Sequence, residues 1–176
     1  YKRQVLKVPH QDLLQDAGFR QRFEIETRSL IELSHPHVVK VLDGGVEDDV
    51  PYLVLEYLAG GSLKDRIEQQ GGQSTVAEVL TWLPYIAQAL DHVHCLGVLH
   101  RDIKPGNILF DAHGNVFLAD FGIAKALGPR DVNLTSTGMV AGTPTYMAPE
   151  AALEKPLDGR SDQYSLAAVV YRSLAG

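Results

Sequence analysis

The amino-acid sequence predicts an α+β fold made of a small β-rich part followed by a mostly helical part. Residues 1–58 contain short β-branched and aromatic segments around a single helical pattern. After Thr75, apolar residues recur at helical spacing for about five turns. The glycine pair at residues 60 and 61 lies between these two patterns. We therefore expect one part over residues 1–58 and the other over residues 59–176.

Three strands are predicted in the first part. Residues 4–8 form a short apolar segment that contains Lys7, and residues 38–42 and 52–57 form two further strand-like segments. Glycine and aspartate are frequent in residues 43–51, so this stretch is predicted to be a turn-rich connection.

One helix is predicted in the first part, over residues 19–34. One of its faces carries Phe23, Glu26, Leu30 and Leu33. The helix should end at His35, because a residue that precedes proline is disfavoured in the helical conformation.

Glu26 and Lys7 are predicted to form a pair. A carboxylate on an apolar helix face carries a large desolvation cost unless a cation lies beside it, and Lys7 lies in the neighbouring strand. Two alternatives remain open: Glu24 or Glu32 provides the carboxylate, or the lysine extends into solvent.

The second part begins with two helices. Ser62 is placed to cap a short helix that ends at the glycine pair 71 and 72. The long helix that starts at Thr75 should close at Gly97.

Strands, a loop and a last helix complete the second part. Residues 98–110 and 116–119 are predicted strands, joined by a hairpin turn over residues 112–115. Residues 127–145 are rich in Gly, Pro, Ser and Thr and are predicted to form a long loop. Residues 161–174 return to a helical pattern.

The composition excludes several classes of protein. With 45% hydrophobic residues among 176, the chain is not a disordered segment. Its 16 Lys and Arg against 22 Asp and Glu give a net charge of -6, which excludes general nucleic-acid binding because such binding depends on neutralising phosphates. Its single cysteine, Cys95, excludes an internal disulfide framework.

No apolar run approaches the roughly 18 residues that a membrane-spanning helix needs. We therefore expect no membrane segment within this chain and a cytoplasmic location, with any membrane tether of a longer protein lying outside these residues.

Three ordered motifs carry the chemistry. His100-Arg101-Asp102-Ile103-Lys104-Pro105-Gly106-Asn107 is followed by Asp120-Phe121-Gly122 and later by Ala148-Pro149-Glu150. Together they resemble the catalytic loop, the metal-binding triplet and the end of the activation segment of the protein kinase family. The resemblance implies a bilobal protein-kinase-like fold that uses ATP and Mg2+.

Phosphoryl transfer makes demands that four of these residues can meet. Mg2+ prefers hard oxygen ligands, which the Asp120 carboxylate and the Asn107 amide would supply. Asp102 would then accept or orient the proton of the substrate hydroxyl. Lys104 would offset the charge on the transferring phosphoryl group.

The resemblance also implies a nucleotide site. Lys7 would contact the α- and β-phosphates and be held by Glu26. Glu56 and Leu58 would form the hinge whose backbone binds adenine. Leu55 would stand at the rear of this pocket, and Leu109 would form its floor.

Five further residues have roles implied by position or resemblance. His100 is expected to be a core histidine that packs near Phe121 and bonds to the backbone. Arg101 matches kinases that are switched by activation-loop phosphorylation, with Thr135 and Thr137 as candidate phosphosites. Asp162 resembles the aspartate that ties its helix to the catalytic loop, and a capping role would explain it as well.

The substrate class follows from two details of the motifs. Lys104 and the segment 142–146 are similar to serine/threonine kinases rather than tyrosine kinases, and segments 120–125 and 162–166 look like the eukaryotic-like kinases of bacteria. The implied partners are a protein substrate with Ser or Thr hydroxyls and a second copy of the kinase for autophosphorylation. A non-catalytic pseudokinase and a small-molecule phosphotransferase are the competing interpretations.

The sequence departs from the family pattern before Lys7 and after Leu174. No G-x-G-x-x-G pattern precedes Lys7, and the arginine that normally pairs with Glu150 would belong to helices beyond residue 174. We therefore expect a kinase fold truncated at both ends, whose isolated activity is weak or absent.

Overall fold

The computed structural model of the chain describes residues 3–9, 23, 27, 30–121 and 144–176. A three-stranded antiparallel sheet has the order β1-β3-β2, with β1 at Gln4–Lys7, β2 at Val41–Glu47 and β3 at Val50–Glu56. Phe23, Thr27 and residues 30–32 are helical, and Phe23 and Leu30 are buried against the sheet, as the apolar stripe predicted.

The connection between β2 and β3 differs from the prediction. Residues 43–51 were predicted to be turn-rich, whereas the strands continue to Glu47 and resume at Val50. The turn itself is Asp48–Asp49, and both residues have positive φ, as a two-residue hairpin turn requires. Gly44 lies within β2 because a side chain there would come within 2.5 Å of the Thr27 side chain on the packed helix. The glycine therefore marks a close approach of helix and strand, not a turn.

In the part of the chain that the structure describes, four helices and a second sheet follow. Helix α1 spans Leu63–Gln69, α2 spans Val76–Cys95, α3 spans Pro149–Ala152 and α4 spans Gly159–Ala175. Strands β4 (Ile108–Phe110) and β5 (Val116–Leu118) form an antiparallel pair. Among the described helices, none combines the length and the apolar character that crossing a bilayer requires.

The predicted starts of the first two helices of the second part are confirmed in detail. The Ser62 hydroxyl accepts from the Asp65 backbone N–H while the Asp65 carboxylate accepts from the Ser62 N–H, which forms a capping box. Thr75 and Glu78 make the same reciprocal pair at the start of α2. Local sequence chemistry therefore fixes both helix starts.

The glycine pair at residues 60 and 61 allows the backbone to pass close to β4. Gly60 N–H donates to the Phe110 carbonyl at 2.8 Å, and Phe110 N–H donates to the Gly61 carbonyl at 2.9 Å. A side chain on Gly60 would come within 2.2 Å of the Asp111 carbonyl oxygen. These residues are thus bonded alongside β4.

Residues 98–110 differ from the predicted strand, because β4 covers 108–110 alone and a 3-10 turn at Pro105–Asn107 precedes it. The backbone of His100 and Arg101 donates to a side chain instead of to a neighbouring strand. Arg101 also has a φ of 65°, which a strand does not allow.

Two apolar clusters surround this segment. The larger one is built on α2 and includes Trp82, Ile86, Ile108 and Val169. The smaller one is built on the sheet and includes Phe23, Val41, Leu53 and Leu55. Phe121 packs against both clusters, so the chain that follows β5 lies where they meet.

Candidate active site

Asp162, on the first turn of α4, holds the backbone of the 100–107 loop. Its carboxylate accepts from the N–H groups of His100 and Arg101, each at 2.8 Å, and lies 2.8 Å from His94 Nε2. Asp162 is 2% exposed. The helix cap is Asp158, whose carboxylate accepts from the Arg160 N–H. The structure therefore gives Asp162 the tie to the loop and gives the capping role to Asp158.

Two residues of the site have left-handed backbone conformations. Arg101 has a φ of 65° and Asp120 has a φ of 62°. Such conformations are unfavourable for residues with a Cβ and persist where the surroundings hold them. The two hydrogen bonds that the Asp162 carboxylate accepts from the N–H groups of His100 and Arg101 stabilise this conformation at Arg101. The side chain of Arg101 is exposed.

His100 is a fully buried histidine, as predicted. Its Nε2 lies 2.8 Å from the Ala119 carbonyl, its Nδ1 lies 3.2 Å from the Asp102 backbone N–H, and its ring centroid is 4.8 Å from that of Phe121. Since Nδ1 must accept from an N–H, the proton belongs on Nε2, which donates to the carbonyl. The ring joins β5, the loop and Phe121 in its neutral form.

Burial lowers the pKa of His100, although the bond to Ala119 and the carboxylates of Asp162, Asp102 and Asp120 act in the opposite direction. Below about pH 6.5, the unfolded chain takes up a proton at this position that the folded chain does not, so the free energy of unfolding falls as pH falls. This single group should contribute up to about 1.4 kcal/mol per pH unit in that range.

We expect denaturant unfolding between about pH 7.5 and about pH 5.5 to reveal this contribution. The wild-type protein should lose more stability over the interval than His100→Gln, whose amide can still donate to Ala119 and accept from Asp102 without titrating. Parallel pH dependences of the two proteins would contradict the assignment.

Asp102 lies between an ammonium group and an amide. Lys104 Nζ donates to Asp102 Oδ2 at 2.6 Å, and Asn107 Nδ2 donates to the Asp102 carbonyl at 2.7 Å and to Oδ2 at 3.2 Å. The 3-10 turn at Pro105–Asn107 brings Asn107 back toward Asp102 and buries it. The loop therefore gathers Asp102, Lys104 and Asn107 at one point.

Lys7 reaches the site from β1. Its ammonium group forms an ion pair with Asp120, which lies two residues after β5 ends at Leu118. The predicted partner of Lys7, Glu26, lies outside the described residues, as does the alternative Glu24, so that pairing stays a prediction. Glu32, the other alternative, is exposed. The ion pair with Asp120 was not predicted, since it joins residues 113 positions apart.

The four predicted adenine-site residues lie on or near β3 and β4. Leu55 is buried in the smaller apolar cluster, and Leu58 and Leu109 pack partly buried against it. Glu56 is exposed at the end of β3, and its N–H donates to the Lys40 carbonyl. The structure thus groups three apolar side chains beside the strand end at Glu56.

Neither His94 nor Ser161 was among the residues predicted for the site. His94 contacts the Asp162 carboxylate, and Ser161 donates to Glu150. A histidine at a core-facing helical position was the available signal for the first. The candidate phosphosites Thr135 and Thr137 lie outside the described residues.

Comparison with known proteins decides the family. The family model described as protein kinase domain matches residues 5–176. The chain belongs to the protein kinase family. The relatives of this kinase domain include a probable serine/threonine-protein kinase of Corynebacterium efficiens, 39% identical over 97% of the chain and 26% of the relative. They also include the DNA damage-responsive serine/threonine-protein kinase RqkA of Deinococcus radiodurans, 42% identical over 97% of the chain and 25% of the relative.

Solved structures agree with this membership. The kinase domain matches the crystal structure of the Mycobacterium tuberculosis PknI kinase domain with a TM-score of 0.78 and 33% identity, over 98% of this chain and 63% of that one. The predicted α+β kinase fold and the likeness to bacterial serine/threonine kinases are confirmed. The chain spans about a quarter of the length of the curated relatives it matches.

Proposed function

We propose that the protein containing this chain is a serine/threonine-protein kinase, which transfers the γ-phosphoryl group of ATP to Ser and Thr hydroxyls of proteins. The observation that carries this proposal is the position of the Asp102 carboxylate between Lys104 and Asn107, beside the backbone tie to Asp162. The names of the bacterial relatives support the same substrate class.

Asp102 would act on the hydroxyl of the acceptor residue. Its carboxylate is the acceptor that the hydroxyl proton needs as the oxygen attacks the γ-phosphorus and the bond to the ADP leaving group breaks. Lys104 Nζ lies 2.6 Å from Asp102 Oδ2, so its positive charge stands where negative charge develops on the transferring group. Lys104 therefore has two tasks, orienting the carboxylate and stabilising the phosphoryl oxygens.

Asn107 and Asp120 fit a magnesium site by their chemistry. The Asn107 amide nitrogen is engaged by Asp102, which leaves its oxygen as the group that can face a cation. Among the described residues, no group of three or more His, Cys, Asp or Glu side chains suits a metal ion. A cation here would thus have few protein ligands and share the phosphates, which is the usual pattern for Mg2+. When bound, Mg2+ would neutralise charge on the β- and γ-phosphates.

Lys7 would bind the α- and β-phosphates of ATP from its position on β1. Its ammonium group already neutralises the carboxylate of Asp120, so it stands within reach of the phosphates that this carboxylate would approach through the metal. Glu26 is proposed as its partner when the nucleotide is bound. Leu55, Leu58 and Leu109 would enclose the adenine ring, with backbone groups at Glu56 and Leu58 as its bonding partners.

Regulation, partners and location are part of the same proposal. Exposed Arg101 could pair with a phosphate added at Thr135 or Thr137, and autophosphorylation would bring two copies of the kinase together. We place the kinase domain in the cytoplasm and its division into two lobes at residues 58 and 59.

The direct test uses the full-length protein with labelled ATP, Mg2+ and a generic basic protein as acceptor. We expect label in phosphoserine and phosphothreonine, lost when Mg2+ is chelated. Nucleotide binding without transfer would favour a pseudokinase, and label in phosphotyrosine alone would contradict the substrate class.

A further inference from the structure

Ser161 is the neighbour in sequence of Asp162, the residue that binds the backbone of the 100–107 loop. It lies on the first turn of α4, is 7% exposed, and donates its hydroxyl to Glu150 Oε1 at 2.6 Å. The bond joins α4 to α3, since Glu150 belongs to the latter helix. The contact is short, as expected for a hydroxyl that donates to a charged carboxylate.

Glu150 is ionised in this contact. The Ser161 hydroxyl is the largest of the influences that hold the pKa of the Glu150 carboxyl below its usual value. An ionised carboxylate can accept but not donate, so the Ser161 proton must point toward it. The direction of the bond is thereby fixed.

Helix α3 is short and depends on neighbouring segments to keep its place. It has four residues, none of them buried, and its first residue follows Ala148, which is 1% exposed. A helix of this length is not stable by itself. Its position relative to α4 is supported by the burial of Ala148, by the packing of Tyr146 against the larger apolar cluster, and by the bond between Ser161 and Glu150.

Ser161 and Asp162 are consecutive residues with different targets. Asp162 holds the backbone of His100 and Arg101, and Ser161 holds the segment that ends in α3. The helix that carries them is anchored by buried Leu166 and Val169 in the larger apolar cluster. One rigid helical turn thus fixes two separate pieces of chain against each other.

We propose that Ser161 is a positioning residue for the protein substrate: its hydroxyl, through Glu150, fixes residues 144–152 relative to the loop that carries Asp102. This role rests on the proposed kinase function. A transferred group must meet its acceptor within about 3.5 Å and in a fixed orientation, so a surface that docks the acceptor polypeptide must be fixed relative to Asp102. ATP binding depends on Lys7 and Asp120, which the contact does not touch.

The test compares steady-state kinetics of the full-length wild-type protein with those of three variants. Ser161→Ala should raise KM for the protein acceptor about tenfold, with the Kd for ATP unchanged, because one hydrogen bond to a charged group is lost. Ser161→Thr keeps the hydroxyl and should restore KM to within about threefold of the wild type. Ser165→Ala is the matched control, since the Ser165 hydroxyl donates within α4 to the Ser161 carbonyl.

A merely structural role predicts another result. General destabilisation lowers the fraction of active protein, and therefore kcat, while the KM for the protein acceptor and the Kd for ATP stay the same. An unchanged acceptor KM in Ser161→Ala, or an equal effect in Ser165→Ala, would overturn the proposal.

Hydrogen exchange at the backbone amides of Ala151, Ala152 and Leu153 tests the contact without activity. These amides donate within α3 and to Ala148, and their exchange should be about tenfold faster in Ser161→Ala. Unchanged exchange rates would overturn the proposal even if the kinetics changed. If the wild-type protein transferred no phosphoryl group, the kinase function and the substrate role would both fall, and faster exchange would then establish a packing contact alone.

Discussion

Replacing Asp102 with asparagine should abolish phosphoryl transfer to protein while leaving ATP binding intact. The amide that replaces the carboxylate cannot take the hydroxyl proton, and loss of a general base costs about 100-fold to 10,000-fold in rate. The shape of the loop should survive, because its backbone is held by Asp162 and because Lys104 and Asn107 can still donate to the remaining side-chain oxygen. The measurements are kcat with a protein acceptor and the Kd for ATP, on the full-length protein.

Asp91→Asn is a suitable control for this substitution. Asp91 is exposed on α2, so the same chemical change there should leave kcat within about twofold of the wild type. Transfer that survived in Asp102→Asn at more than about a tenth of the wild-type rate would contradict the role given to Asp102.

Replacing Asp162 with alanine should remove both stability and transfer. The buried N–H group of His100 and the part-buried N–H group of Arg101 would lose their acceptor, and His94 would lose its partner. Each unsatisfied buried donor costs about 1–3 kcal/mol, so the free energy of unfolding should fall by about 3 kcal/mol or more. The φ of 65° at Arg101 would lose its support, and Asp102 would move with it. Denaturant unfolding and kcat measure the two effects.

Asp158→Ala separates this role from helix capping. Asp158 is the exposed cap of the same helix, and loss of a cap costs about 1 kcal/mol. We expect this variant to be slightly less stable and to keep its kcat. Equal losses in Asp158→Ala and Asp162→Ala would mean that Asp162 serves the helix rather than the loop.

The predicted loop residues lie together in the structure, whereas two of the predicted strand segments were partly wrong. Asp102, Lys104 and Asn107 are close in sequence, so a loop of ordinary geometry brings them together. The capping serine Ser62 was predictable for the same reason, since its partner Asp65 is three positions away.

Two of the predicted segments were wrong, because the same local pattern of residues also occurs in other kinds of structure. Residues 43–51 contain glycines that suggested a turn, but Gly44 is required by the approach of Thr27 from a distant helix. Residues 98–104 were predicted to lie in a strand, yet the N–H groups of His100 and Arg101 bond to Asp162 rather than to a neighbouring strand. The partners of these segments, Thr27 and Asp162, are far away in the sequence, so the residues of a short segment do not reveal them.

By itself, the sequence determined the class of fold and the order of its motifs, and it predicted which residues form the catalytic loop. The tertiary structure decided which distant groups meet: Lys7 with Asp120, Asp162 with the backbone at residue 101, and Ser161 with Glu150. The physical reason is the range of the interactions. Caps, turns and helical stripes depend on residues within a few positions, whereas these pairs exist because two apolar clusters pack and bring separate segments into bonding distance.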